Sequence, residues 1–256
     1  YIKKCFFLNF HYKYVYCLIM SLSIIIPVYN EVKQLKVTIK KLPKLKKFFK
    51  NFEIVFVDDF SNDETFNFLK KVSCQKKFIK VIKNKKKGLG SAIEHGVKQC
   101  KFKYICIQAC DMSDDIKDLK KYYKIISTEK LDAIFGTRFA TGAVVKDYPL
   151  IKLILNRIFN NIVRLVFLTN YNDFTNGFKM YNRNTLKNLL PIVSENFNVF
   201  LEIPLKIISR KYKYKIIPIN YYNRTIGVSK FKIKELGSMY LFTLLYCLLE
   251  RILLKK

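Results

Sequence analysis

Five short apolar runs punctuate the first half of the chain: LSIIIPV (22–28), EIVFV (53–57), FIKVI (78–82), YICIQ (104–108) and DAIF (132–135). They are rich in β-branched and aromatic residues and mostly lack the polar alternation of a strand with one wet face, so they read as strands covered on both sides. The stretches between them are long enough for a crossover helix. Residues 31–49, for example, place Val32, Leu35, Ile39 and Leu42 at helical spacing with lysines on the other face. Strand and helix alternating in this way predict an α/β fold, with a mostly parallel central sheet and helices on both faces.

Such a sheet binds ligands outside the carboxyl ends of its strands. Three polar clusters fall there: Pro27-Val28-Tyr29-Asn30-Glu31, Asp58-Asp59, and Asp111 through Asp115. Taken alone, any one of them is a turn or a helix cap, and capping is the better local reading of Ser61-Asn62-Asp63. Three clusters on one edge point to a site. Carboxylates after a central strand suit Mg²⁺ or Mn²⁺, which share their remaining positions with water and phosphate.

Charge raises the question of a polyanionic partner. Lys+Arg total 48 against 19 Asp+Glu in 256 residues, a formal charge of +29, while 50% hydrophobic content excludes wholesale disorder. Only seven of the cations are arginine. Arg138, Arg157 and the Arg224–Lys230 segment supply cations able to grip phosphates; a lysine here is by default a solvated surface residue, so Arg138 and Arg224 carry more weight. No basic motif with interleaved aromatics supports nucleic acid. Seven cysteines, an odd number lying mostly in apolar stretches, read as reduced thiols; with two histidines and no CxxC pair, a zinc site is not expected.

Residues 1–19 contain no acid and are interrupted by Lys3, Lys4, His11 and Lys13, too often for a membrane span; they are expected to be a non-native upstream extension before Met20. The second half changes character. Residues 150–168 predict a long amphipathic helix, 177–181 a short strand, 201–209 a helix and 214–221 a strand. The chain closes with a helix over 233–254, whose uncharged stretch is too short to cross a bilayer but suits its interface.

PVYNE (27–31), VDDFSND (57–63), GLGSAIEHG (88–96) and ACDMSDD (109–115) together resemble family 2 glycosyltransferases of the GT-A fold. GTRF (136–139), DFTNGFKMY (173–181) and RTIGVSK (224–230) narrow the resemblance to the polyprenyl-phosphate (dolichol-phosphate) mannosyl- or glucosyltransferase branch. It implies a catalytic domain over 20–235, with a nucleotide-sugar half at 20–115 and an acceptor half at 116–235, followed by an amphipathic membrane-associated helix at 236–256.

The resemblance also assigns residues. Pro27, Tyr29, Asn30 and Glu31 would border the nucleotide, Asp58 or Asp59 its base, and Gly88 and Gly90 the nucleotide sugar. Arg224, Ser229 and Lys230 would close over the diphosphate. Asp111 would be the central metal ligand, catalytic together with Arg138 and Asp173, and Arg138 and Arg157 would hold the acceptor phosphate. Asp173, Thr175 and Gly177 match the motif beside the sugar, with Asn176 in place of the usual serine. Ala109 stands where better-known members carry the first acid of Asp-x-Asp. Metal binding would then rest on Asp111 with Ser113, Asp114 or Asp115; alternatively, Asp114 and Asp115 cap the next helix.

The implied partners are a nucleotide sugar (GDP-mannose or UDP-glucose), polyprenyl or dolichyl phosphate, an anionic membrane surface at its cytoplasmic face, and a separate membrane subunit. Competing readings are a family 2 enzyme with a soluble or polysaccharide acceptor, a nucleic-acid binder motivated by charge alone, and a pseudoenzyme motivated by Ala109.

Overall fold

The computed structural model describes residues 20–112, 114–146, 148–222 and 233–254. The apolar runs become strands β1 (Ser21–Val28), β2 (Asn51–Asp58), β3 (Ile79–Lys83), β4 (Tyr104–Ile107) and β5 (Ala133–Thr137). The helices between them are α1 (Val32–Lys41), α2 (Thr65–Gln75), α3 (Leu89–Gln99) and α4 (Ile116–Thr128). The expected helix over 31–49 ends early, because Pro43 brings a tighter 3-10 segment, Leu42–Lys47.

Beyond β5 come a short strand β6 (Val145–Lys146), α5 (Leu150–Phe167), β7 (Lys179–Asn182), α6 (Arg183–Asn188), α7 (Val199–Ser209), β8 (Tyr214–Pro218), β9 (Tyr221–Tyr222) and α8 (Ile233–Leu253). The single strand expected over 214–221 is thus two. Its second piece leaves the main sheet and pairs with β6, a partner too short to show as a periodic pattern.

The main sheet has seven strands in the order β3-β2-β1-β4-β7-β5-β8. All its pairings are parallel except those of β7, which runs antiparallel between β4 and β5. One core lies on each face. Ile24, Ile26, Ile54, Phe56 and Cys106 pack on one side, and Ile25, Val55, Val57, Ile105 and Ile107 on the other. This two-sided burial is the physical reason the strands lack polar alternation. β7 pairs with both β4 and β5, so the strands on either side of it form one continuous sheet.

Candidate active site

The edge is built from loops held against each other by side-chain hydrogen bonds. Asn30 Oδ1 accepts from Asn62 N at 2.8 Å, Asn30 N donates to Ser61 Oγ at 2.9 Å, and Glu31 N donates to Thr65 Oγ1 at 2.9 Å. The loops after β1 and β2 are therefore one rigid unit, and the Asn30 carboxamide oxygen belongs to that scaffold. Backbone strain gathers at the same edge: Asn30, Phe60 and Met112, in the loops that follow β1, β2 and β4 respectively, have φ of 52°, 61° and 46°.

The two aspartates after β2 divide their roles. Asp59 Oδ1 accepts from Asn84 Nδ2 and Gly88 N, both at 2.8 Å, and so ties β2 to the segment before α3. Asp58 is 3% exposed; its Oδ2 accepts from Ser61 N at 3.3 Å, while Oδ1 has no hydrogen-bond partner among the described residues. Of the two, Asp58 keeps an oxygen for a ligand.

Gly88 and Gly90 lie against a strap over residues 190–196. A Cβ on Gly90 would lie 1.7 Å from Ser194 O, and one on Gly88 would lie 2.9 Å from Glu195 O. Gly90 N also donates to Glu195 O at 3.2 Å. The room these glycines leave is used by that strap. The strap is fastened by buried Glu202, which accepts from Val193 N and Ser194 N and pairs with Lys206 at 2.6 Å.

After β4, Lys41 Nζ donates to Asp111 O at 3.1 Å and Thr38 Oγ1 donates to Cys110 O, anchoring the acidic loop to α1. The two expectations for Asp114 and Asp115 separate. Asp115 is the N-cap of α4, its Oδ1 accepting from Lys117 N at 2.8 Å, so the capping expectation holds for this residue and occupies one of its two oxygens. Asp114 makes no such cap. Burial first and the charge of Asp111 second push its carboxyl up to about 7, while Arg138 pulls the other way. Two carboxylates that raise one another's cost are what a divalent cation relieves. Among the described residues no group of three or more His, Cys, Asp or Glu is placed to hold a metal. The residues fit a cation held by Asp111 and Asp114 that takes its other ligands from diphosphate and water. Ser113, Arg224, Ser229 and Lys230 lie outside the described residues.

A second polar cluster centres on Arg138. Its Nε and Nη2 donate to Asp173 at 2.8 and 2.6 Å, and its backbone N to the same carboxylate at 2.9 Å. Burial opposes the guanidinium charge, but Asp173 overrides it and moves the pKa up. The rings of Phe139, Tyr148 and Tyr221 surround the guanidinium at 5.3–5.4 Å. Arg138 is thus built into the wall of the site. Arg157, on α5, stacks on Phe139 at 4.3 Å and donates to Asn172 O at 2.9 Å.

Thr175 Oγ1 accepts from Asn156 Nδ2 at 2.6 Å, and Gly177 packs against the Phe200 ring. Asn176, in the serine position, is internal: Nδ2 donates to Gly136 O at 3.2 Å and Oδ1 accepts from Phe178 N at 3.0 Å. Sequence reasoning missed Lys179. Fully buried, it donates to Phe174 O and Asn176 O beneath the turn that carries Asp173. Its signal was one lysine inside an apolar strand, hidden in a chain where lysine is commonplace.

The profile of the Glycosyl transferase family 2 matches residues 23–190. The chain belongs to this family. Among curated relatives, the family 2 chain is 28% identical over 223 residues to a dolichol-phosphate mannosyltransferase of Pyrococcus furiosus, covering 85% of the chain and 61% of that protein. It is 26% identical over 224 residues to a dolichyl-phosphate beta-glucosyltransferase of Saccharomyces cerevisiae, covering 78% of the chain and 66% of that protein. The chain therefore spans less than two thirds of either relative's length. Among solved structures, glucosyl-3-phosphoglycerate synthase from Mycobacterium tuberculosis, in complex with Mn²⁺, UDP and glucosyl-3-phosphoglycerate, superposes with a TM-score of 0.67 at 14% identity, over 90% of this chain and 80% of that one. That likeness confirms the α/β fold of the family 2 chain, including its mostly parallel sheet.

Proposed function

We propose that this chain transfers a hexose, mannose or glucose, from GDP-mannose or UDP-glucose to a polyprenyl or dolichyl phosphate. The supporting observation is the Arg138–Asp173 pair, fixed at the end of β5 with a ring of aromatics around the guanidinium. The loop bearing Asp111 and Asp114 is near enough for Asp114 to feel the charge of Arg138. The names of the two curated relatives agree with this chemistry.

A lipid phosphate oxygen is already anionic near neutral pH, so it attacks the anomeric carbon without a strong general base. The new bond joins that oxygen to the carbon, the bond to the diphosphate oxygen breaks, and the nucleoside diphosphate leaves with the electron pair. One displacement inverts the anomeric centre. The Arg138–Asp173 pair and Arg157 orient the incoming phosphate, and the loop bearing Asp111 and Asp114 places the diphosphate in line. Bound there, Mg²⁺ or Mn²⁺ would neutralise charge developing on the leaving group.

A lipid acceptor and a peripheral place on a membrane, which we assign to its cytoplasmic face, are supported by two helices in contact. α5 exposes Leu150, Ile151, Ile154, Ile158 and Leu165, and α8 exposes Leu241, Phe242, Leu245, Leu249 and Ile252. Phe159 meets Tyr240 at 5.3 Å, and Arg251 Nη1 donates to Phe167 O at 2.6 Å, joining the two helices. Large apolar side chains exposed in such number on two touching helices suit a membrane interface. α8 is apolar on its packed face too (Tyr240, Leu244, Cys247), so it departs from the amphipathic pattern expected of it. No helix among the described residues is long and apolar enough to cross a membrane. A soluble or polysaccharide acceptor is the second reading, and this apolar face disfavours it.

The test offers purified chain UDP-glucose or GDP-mannose with Mg²⁺ or Mn²⁺ and undecaprenyl or dolichyl phosphate. Glycolipid that is sensitive to chelator and lost in Asp111→Ala is expected. Transfer only to soluble acceptors would replace the first reading with the second.

A further inference from the structure

Beside the acidic edge lies an open cavity of about 330 Å³, lined by Asp58, Phe60, Ser61, Phe66, Lys83 and Asn84 among others. Two features of it are unexplained by packing. Asp58 Oδ1 is buried without a hydrogen-bond partner among the described residues. Phe60 has φ of 61° and leaves its ring 47% exposed. A bulky aromatic in the left-handed region is costly, and Gly or Asn would occupy the same turn at lower cost. A large side chain left about half exposed recovers only part of its burial free energy to offset that strain.

The turn itself is not loose. Asp58 Oδ2 accepts from Ser61 N, and Asn62 and Asp63 donate to Asn30 Oδ1, so the strained φ is held from both sides. By contrast, the other ring at this cavity is already engaged: Lys83 sits over Phe66 at 4.6 Å. The fixed turn presents the Phe60 ring on the same cavity as the unpaired Asp58 oxygen. A flat π face next to a carboxylate acceptor is complementary to a nucleobase, which offers a ring to stack and an N–H edge to donate.

We propose that Phe60 is a stacking residue for the nucleobase of the sugar donor, beside the Asp58 carboxylate that the family resemblance already assigns to the base; this rests on the transferase reading above and extends it to a residue in the donor site. The strained turn is then retained because it aims the ring.

The test uses the full chain with Mn²⁺ and measures binding of UDP, GDP and inorganic diphosphate by calorimetry. Phe60→Gly and Phe60→Asn both suit the left-handed backbone and remove the ring. Each is expected to weaken UDP and GDP binding roughly tenfold, to leave inorganic diphosphate unchanged, and to melt no lower than the unaltered chain. Loss of affinity with no loss of stability separates a ligand contact from a structural role. Unchanged nucleotide affinity in both variants overturns the assignment of Phe60 while leaving the transferase reading intact. Equal weakening of inorganic diphosphate also overturns it, because the effect would not come from the base. If the unaltered chain binds neither nucleotide, the transferase reading fails and Phe60 with it.

Discussion

Arg138 and Asp173 form a two-point ion pair at 2.8 and 2.6 Å, with the arginine 8% exposed and the aspartate 0%. The pair joins the end of β5 to the turn before β7. Removing one partner strands the other charge in a dry place. Asp173→Asn is therefore expected to cost about 3–5 kcal/mol in urea unfolding. Combining it with Arg138→Met should cost clearly less than the sum of the single changes. Simple additivity in that double-mutant cycle would mean the two side chains do not act as a unit.

Lys179 makes stability depend on pH. Burial pushes its ammonium down to about 7 against the pull of Asp173. Between about 7 and the ordinary lysine value near 10.5 the unfolded chain binds the extra proton, so the stability contributed by this group rises with pH across that window; it is lost as pH falls from 10.5 towards 7 and is level below that. The slope above pH 7.5 should approach about 1.4 kcal/mol per pH unit. In Lys179→Met that component should vanish from chemical denaturation measured between pH 7 and 9; an unaltered slope would show the ammonium stays charged throughout.

Gly90 and Gly237 should respond to alanine in opposite directions. At Gly90 the new methyl meets Ser194 O, and a loss of at least about 2 kcal/mol is expected. At Gly237, in the first turns of α8, nothing lies within 4 Å, and alanine should stabilise by up to about 1 kcal/mol through helix propensity. Thermal melts of the two variants decide whether the strap truly occupies the glycine groove.

Asp114 is expected to trade stability for metal binding. It is paired with a like charge in a poorly solvated place, so Asp114→Asn should raise the melting temperature of metal-free protein. The same change should weaken Mn²⁺-dependent UDP binding about tenfold or more. Asp115→Asn, at the N-cap, should leave metal-dependent binding near normal, since asparagine caps as well as aspartate. A swap of these two phenotypes would return the metal role to Asp115.

The apolar face is tested by charge. Ile154→Glu on α5 and Leu245→Glu on α8 change residues that are 49% and 51% exposed, so folding should be little affected. Sedimentation with anionic vesicles should fall in each and nearly vanish in the double variant. Sedimentation equal to that of the unaltered chain would remove these helices as the docking surface.

Much of the architecture was legible before any coordinates. The runs at 22–28, 53–57, 78–82, 104–108 and 132–135 are all strands, because burial on both faces leaves a continuous apolar signature in adjacent residues. β6 was missed because two residues carry no period. The 214–221 span was read as one strand because the change of sheet after Pro218 is not a local property. The clusters after β1, β2 and β4 do meet on one edge of the sheet, but the duties of individual atoms are not visible in the sequence. Asp59 is taken by Asn84 and Gly88, and nothing local to Phe60 shows its left-handed backbone.

Contiguous residues determined the strands, the polar edge and the ordered motifs that mark the family, since each is written within a few positions of chain. Tertiary structure alone decided which of those motif atoms belong to the scaffold and which remain for a ligand. Gly90 receives Ser194, Asp173 fixes Arg138, and Lys179 lies buried under the turn. The physical reason is distance along the chain: Gly90 and Ser194 lie in different elements, and a carbonyl arriving from so far away leaves no trace in the local pattern that admits it.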